Sequence, residues 1–288
     1  MAKAYHALVA GLPDLVLDET RLSLSRRTFR NDLKDQLTAA HYRQIETLFY
    51  VYDNENLLNL LNGGGKEHNP LGNFSMEALE EEVRVPGYLP AYMGRFIEAF
   101  RTETRLPEGV SAANRLTASM YNELLGPKSG LGHGFVREWL TFDRDLRNVL
   151  AAIACRSLNR SLEGELVGHG FVVEHIERGN SGDFGLGREL PWIERVLQLH
   201  SSSDLLDREK GLDALRWAFI DEITTFEYFT IHKVAAFVIK LGIAERWLAL
   251  DEETGRKMFQ QIMRDLETGF EFPAEFSVRG GRKHADNR

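Results

Sequence analysis

The sequence predicts an all-α fold of long packed helices, arranged as three similar units of about 90 residues in a pseudo-threefold body. Three observations predict it. Phe135, Trp139, Phe142, Leu146, Val149 and Ile153 follow one another at alternating intervals of four and three, which places them on one face of one helix. A second stripe passes through Leu212, Leu215, Phe219, Ile223, Phe226, Thr230, Val234, Phe237 and Leu241. An aromatic residue followed by an apolar helical segment also recurs at nearly equal spacing: YDNENLLNLL from Tyr52, FDRDLRNVLA from Phe142 and FTIHKVAAFV from Phe229. Eight places beyond each aromatic stands a large apolar residue, Leu60, Leu150 or Phe237.

In chain order, Thr38 is positioned to cap a helix carrying Ile45, Leu48, Phe49 and Tyr52. Asp53 or Asn54 then caps a new turn through Leu57, Leu60 and Leu61 that stops at Gly63, Gly64 and Gly65. After a loop over residues 66–73 comes an acidic helix around residues 77–82, ended by Pro86; Pro90 opens the next, with Tyr92, Phe96, Ile97 and Phe100 on one face. Further helices are expected over about 112–125, closed by Gly126 and Pro127, and over about 134–160. The second stripe is expected to end at Gly242, with a break near the β-branched pair Thr224 and Thr225. Asp251 caps a last helix bearing Met258, Phe259, Ile262 and Leu266. Only GHGFVVEHIE, residues 168–177, reads as a strand, and no segment of comparable quality is there to pair with it. The chain therefore divides into one helical domain, residues 1–278, with repeat units 1–75, 76–165 and 166–278, and a basic, aperiodic tail over 279–288 expected to be disordered.

A net charge of -8 and a pI near 5.7 argue against a general nucleic-acid binder, whose phosphate contacts need a basic surface. No run approaches the roughly 20 apolar residues that span a bilayer, so a soluble cytoplasmic chain is expected, without direct membrane insertion. Cys155 is the only cysteine, which excludes an intramolecular disulfide and a thiolate metal cluster; its apolar helical setting reads as a buried, inert thiol.

The search for chemistry ends in exclusions. No histidine has a glutamate three residues before it, as a helical di-iron site requires, and HExxH is absent. GPKSG at Gly126 lacks the glycine and backbone donors of a phosphate loop, GLGHG at Gly130 follows no strand, and Asp183-Phe184-Gly185 stands without the rest of a kinase. His169, Glu174 and His175 form the densest ligand-like group, in glycine-rich surroundings that read as a loop. Asp221 and Glu222 are adjacent, so on a helix they point about 100° apart and one is solvated. Glu227 and His232, five apart, are expected on different helix faces. What remains is a set of aromatic and polar residues embedded in the helices: Tyr52, Asp53, Asn56, Trp139, Phe142, Asp143, Arg147, Arg156, Arg216, Trp217 and Phe229. These are read as structural framework, with Asp53 and Asp143 doing the same job in two copies by capping a helix or pairing with an arginine. No catalytic, cofactor-binding or metal-ligating residue is assigned.

YHALVAGLPDL, LFYVYDNENLLNLL, WLTFDRDLRNVLAAIACR, GNSGDFGLGRELPWI and LRWAFIDEITTFEYFTIHKVAAFVIKLGIAERWLALDEETG together resemble an uncharacterised bacterial family that accompanies V-type ATPase components. That family is similar, more distantly, to the C-type linker protein of the V/A-type ATPase central stalk, whose eukaryotic counterpart is the d-type linker. The resemblance covers Tyr5 to about Phe276; the step to the C-type linker rests on the helical repeat and the aromatic-Asp element at Asp53 and Asp143, which the third copy replaces with Thr230. It implies a non-catalytic rotor part, with three helical units in a funnel-like body seated on the cytoplasmic face of the proteolipid ring and receiving the end of the shaft. Its implied partners are the proteins of the ring and the central shaft. A free-standing helical adaptor is the alternative expectation, followed by a helical enzyme centred on His169, Glu174 and His175 or on Asp221 and Glu222.

Overall fold

Helix α8, Phe135–Ser157, is the spine of the molecule, and the first apolar stripe is the reason. Its side chains at Phe135, Trp139, Phe142, Leu146, Val149 and Ile153 are all buried, each contributing roughly 1.5–3 kcal/mol of hydrophobic stabilisation relative to exposure. At 1.5 Å per residue its 23 residues span about 35 Å. A Cβ added to Gly134, just before the helix, would stand 2.8 Å from Nε2 of His232, so only glycine lets α8 start against that ring. At the other end Asn159 takes a left-handed conformation and terminates it.

The computed structural model describes residues 3–17, 21–85, 87–102 and 110–249. Within them the elements are α1 (His6–Ala10), α2 (Arg26–Gln36), α3 (Ala39–Thr47), α4 (Tyr50–Leu61), α5 (Met76–Arg84), α6 (Ala91–Thr102), α7 (Ala112–Leu125), α8, α9 (Phe171–Arg178), α10 (Ile193–Ser201), α11 (Leu205–Ile223) and α12 (Ile231–Ala249). The described residues contain no strand, and the fold is all-α. Helix α8 packs against α7, α9, α10, α11 and α12; α7 carries α4 and α6 on its far side, and α12 joins α2. One continuous apolar core runs through all of these helices.

Several starts and stops fall where the residues place them. Thr38 caps α3 by accepting the His41 N–H, Ser111 caps α7 by accepting that of Asn114, and α7 ends at Leu125. Gly63 and Gly64, both at positive φ, close α4. The break at Thr224 and Thr225 separates α11 from α12, and the two hydroxyls donate to the carbonyls of Ile220 and Asp221, meeting acceptors that the helix end leaves open. Cys155 is buried, which raises its thiol pKa.

Other expectations are corrected. Asp53 caps nothing: the chain turns earlier, at Leu48 and Phe49, and Asp53 lies in the first turn of α4. Asp143 likewise sits inside α8. Gly242 is interior to α12, not its end. Residues 168–177 form no strand. Gly170, at φ 132°, instead opens α9, which buries Val172, Val173 and Ile176, because a helix satisfies its backbone groups internally where a lone strand cannot. Helices α1, α2 and α10 add to those expected. The predicted helix after Asp251 and the basic tail lie outside the described residues.

Candidate functional site: an arginine-lined helical cleft

Helices α2, α3, α4, α7, α8, α11 and α12 surround an open cleft of about 700 Å3. It gathers Tyr52, Trp139, Asp143, Arg147 and Arg216 from three parts of the sequence, together with Arg26, Tyr121, Asp213 and Arg246.

The polar wall is built around Asp213. Its carboxylate, 2% exposed, accepts from Arg216 Nη1 at 2.8 Å, Arg246 Nη1 at 3.0 Å and Trp247 Nε1 at 2.9 Å. Arg246 reaches on to Glu209 at 2.5 Å. Burying a carboxylate is tolerated when charge and hydrogen bonds are met in this way, and the arrangement ties α11 to α12. Opposite, Tyr121 donates its hydroxyl to Asp143 Oδ2 at 2.6 Å, tying α7 to α8. Burial, and then the charge of Asp143, hold the Tyr121 pKa well above its ordinary value, so it remains a neutral donor. Arg147, exposed at the rim, donates to Asn114 Oδ1 at 2.8 Å.

Arg26 enters from α2. Its backbone N–H donates to Glu245 Oε1 at 2.6 Å, and its guanidinium carbon lies 5.1 Å from the Tyr52 ring centre and 5.8 Å from that of Phe49. The Arg26 Nε is buried without a hydrogen bond and stands 3.6 Å from Glu245 Oε2. A Cβ on Gly242 would collide with Arg26 Nη1, which accounts for a glycine inside α12.

A family profile described as "Protein of unknown function (DUF2764)" matches residues 1–270. The chain belongs to this DUF2764 family. No curated protein and no solved structure gives a significant match.

The other framework residues of this DUF2764 chain lie outside the lining of the cleft. Asp53 is fully buried and accepts from Asn73 N–H at 2.6 Å, Asn73 Nδ2 at 2.5 Å and Phe74 N–H at 3.1 Å, fastening the loop between α4 and α5. Burial pushes its pKa up to about 6, against the opposing pull of those donors and of the Arg30 charge. Asn56 completes the anchor through Asn69, accepting its N–H at 2.7 Å and donating to its carbonyl at 3.0 Å. A side chain at Gly72 would press on both Asp53 and Asn56. Phe142 stacks on Phe219 with ring centres 3.9 Å apart, and meets Trp192 edge-on at 5.4 Å and Trp139 at 5.8 Å. Arg156 donates to the carbonyls of Ser181 and Gly179 and lies 3.8 Å from the Phe184 ring centre, pinning the loop that carries the Asp183-Phe184-Gly185 triplet. Trp217 lies under the ammonium of Lys240. Phe229 is exposed in the turn before α12, against His6. Asp53 and Asp143 thus hold different partners, a loop backbone in one case and a tyrosine in the other.

His169 and Glu174 border one surface pocket with Glu163 and Glu177, without His175. His169 and Glu174 are exposed, whereas the His175 Nδ1 lies 2.8 Å from the Phe171 carbonyl. Asp221 turns to Lys240 at 2.5 Å, and Glu222 stays exposed. Glu227 and His232 do meet, at 3.1 Å, because Glu227 lies in the turn and not on the helix that carries His232. Among the described residues no group of three or more His, Cys, Asp or Glu side chains is placed to hold a metal ion, and no helix is long and apolar enough to cross a membrane.

Sequence reasoning missed Arg26, Asp213 and Arg246. Asp213 carried a local signal, an acid three residues before Arg216 in an apolar helix; Arg26 carried none, since its partners come from distant α4 and α12.

Proposed function

We propose that this chain is a non-catalytic central-stalk linker of a V/A-type rotary ATPase, joining the membrane proteolipid ring to the rotor shaft and transmitting torque during ion transport. The observation that carries the reading is the cleft of about 700 Å3, walled by seven helices and cross-tied at Asp213 and at Tyr121–Asp143. A socket for a shaft must hold its shape under load, and a close-packed helical wall with buried ties has the low compressibility this requires. The resemblance to the C-type linker, with its three similar helical units, supports the same assignment, and in that role the protein works at the cytoplasmic face of the cell membrane.

The reading uses a second surface for the ring. The turn between α11 and α12 presents Phe226, Tyr228 and Phe229 at 85%, 67% and 40% exposure. Exposed aromatic groups of this kind are typical of recognition surfaces. From His232 to Gly242 the axis of α12 advances roughly 15 Å, so one rigid helix links the aromatic turn to the cleft. Affinity purification of the tagged protein in gentle detergent tests the reading: ring and shaft proteins are expected in the eluate, and their absence refutes it.

A further inference from the structure

We propose that residues 3–17 form a strap along α12 that acid releases, with the contact between Tyr5 and His41 as its latch. The latch is independent of the central-stalk reading.

The strap has one deep anchor. Among residues 3–17 only Tyr5 is buried, at 5% exposure, and α1 itself buries no side chain. The Tyr5 N–H donates to the Phe229 carbonyl at 2.7 Å, tying the strap to the turn before α12. Its ring meets that of His41 edge-on, with centres 5.6 Å apart, and its hydroxyl stands 2.6 Å from His41 Nδ1. The Thr38 N–H reaches the same oxygen at 3.4 Å. Further along, Val9, Leu12 and Leu15 border a groove with Ala236, Phe237 and Lys240 of α12.

A neutral imidazole completes this contact and a charged one does not. With the ring hydrogen on Nε2, Nδ1 accepts from the phenol; once the ring is protonated, both nitrogens are donors. The Tyr5 O–H then faces a donor. Its oxygen is left to accept from His41 and Thr38, while its own hydrogen loses the acceptor it had. The groups facing His41 from other elements reinforce this. They are Lys3 and Tyr5 on the strap and His232 on α12, itself 3.1 Å from Glu227. Burial, and then the charges of His232 and Lys3, lower the His41 pKa from its ordinary 6.5. Folding therefore favours the uncharged ring, and its contribution is fully present above about pH 6.5 and lost as pH falls through the folded-state pKa. Detachment lets the imidazole charge at its ordinary value, so acid drives the strap off.

Amide hydrogen exchange of the full-length chain tests the latch, with 15N-tyrosine labelling to read the Tyr5 N–H. Its protection factor, corrected for the intrinsic pH dependence of exchange, is expected to fall about tenfold or more between about pH 7.5 and about pH 5.5. The Tyr121 N–H, within α7, is expected to keep its protection over the same range. His41→Gln retains a side-chain acceptor that takes up no proton in this range, and its Tyr5 protection is expected to stay constant. Tyr5→Phe lacks the hydroxyl; the missing tyrosine signal assigns Tyr5, and 15N-phenylalanine labelling is expected to show weaker protection at that position at about pH 7.5. Constant wild-type protection, the same fall in His41→Gln, full protection in Tyr5→Phe, or a parallel fall at Tyr121 overturns the proposal.

Discussion

The guanidinium of Arg26 lies on the backbone of Gly242, where any side chain would strike it. This contact seats α2 on α12 and sets the position of Arg26 over Tyr52 in the cleft. Alanine at residue 242 improves helix propensity by about 1 kcal/mol, and that gain is offset by displacing the arginine. Gly242→Ala is therefore expected to show no net gain in stability. Urea denaturation checks this; a gain of the full ~1 kcal/mol, as at an open helix position, contradicts the placement of Arg26.

Asp213 is the tie whose loss is expected to be severe. Replacing this buried carboxylate with alanine leaves the buried Trp247 N–H without an acceptor and Arg216 and Arg246, 21% and 42% exposed, without their shared partner. Asp213→Ala is expected to cost about 2–3 kcal/mol in denaturant unfolding, and Asp213→Asn less, since one acceptor oxygen remains. A loss below about 1 kcal/mol for the alanine variant contradicts the role given to this carboxylate.

Asp53 gives the protein a pH signature. Its folded-state pKa of about 6 lies above the usual 3.8, so folding draws a proton onto it. The contribution is fully present below about pH 4 and is lost as pH rises through 6, a difference on the order of 3 kcal/mol for two units. The Asp53 carboxyl carbon is expected to titrate near pH 6 by NMR, and Asp53→Asn to flatten the stability profile between pH 4 and 6. Titration at or below pH 4 would show that the Asn73 and Phe74 donors outweigh burial.

The aromatic turn is expected to separate the two partners. Phe226 and Tyr228 are highly exposed and support little of the core, so Phe226→Ser with Tyr228→Ser should leave unfolding within about 0.5 kcal/mol of wild type. In co-purification this variant should lose the ring and keep the shaft. Equal recovery of both assigns the ring contact elsewhere.

Much of the fold was legible because α8 writes its packing into a local period: Phe135 to Ile153 declare their shared face without reference to any other segment. The cap at Thr38 and the break at Thr224 were equally local. The site was legible only in part. Tyr52, Asp143, Arg147 and Arg216 stood out as polar or aromatic residues in apolar helices, yet nothing in sequence joined them, because the cleft exists only once α4, α8 and α11 are packed. Residues 168–177 misled for a related reason: Val172 and Val173 favour a strand locally, and the missing partner strand decided for helix. The aromatics at 52, 142 and 229 look alike in sequence, but they occupy a cleft wall, a buried stack and an exposed turn.

The central claim is tested most directly by purifying the tagged protein from native membranes in gentle detergent and identifying what accompanies it. The account predicts stoichiometric proteolipid-ring and central-shaft proteins, reduced for the ring alone by the aromatic-turn variant. Recovery of the intact protein with no ATPase component would contradict it.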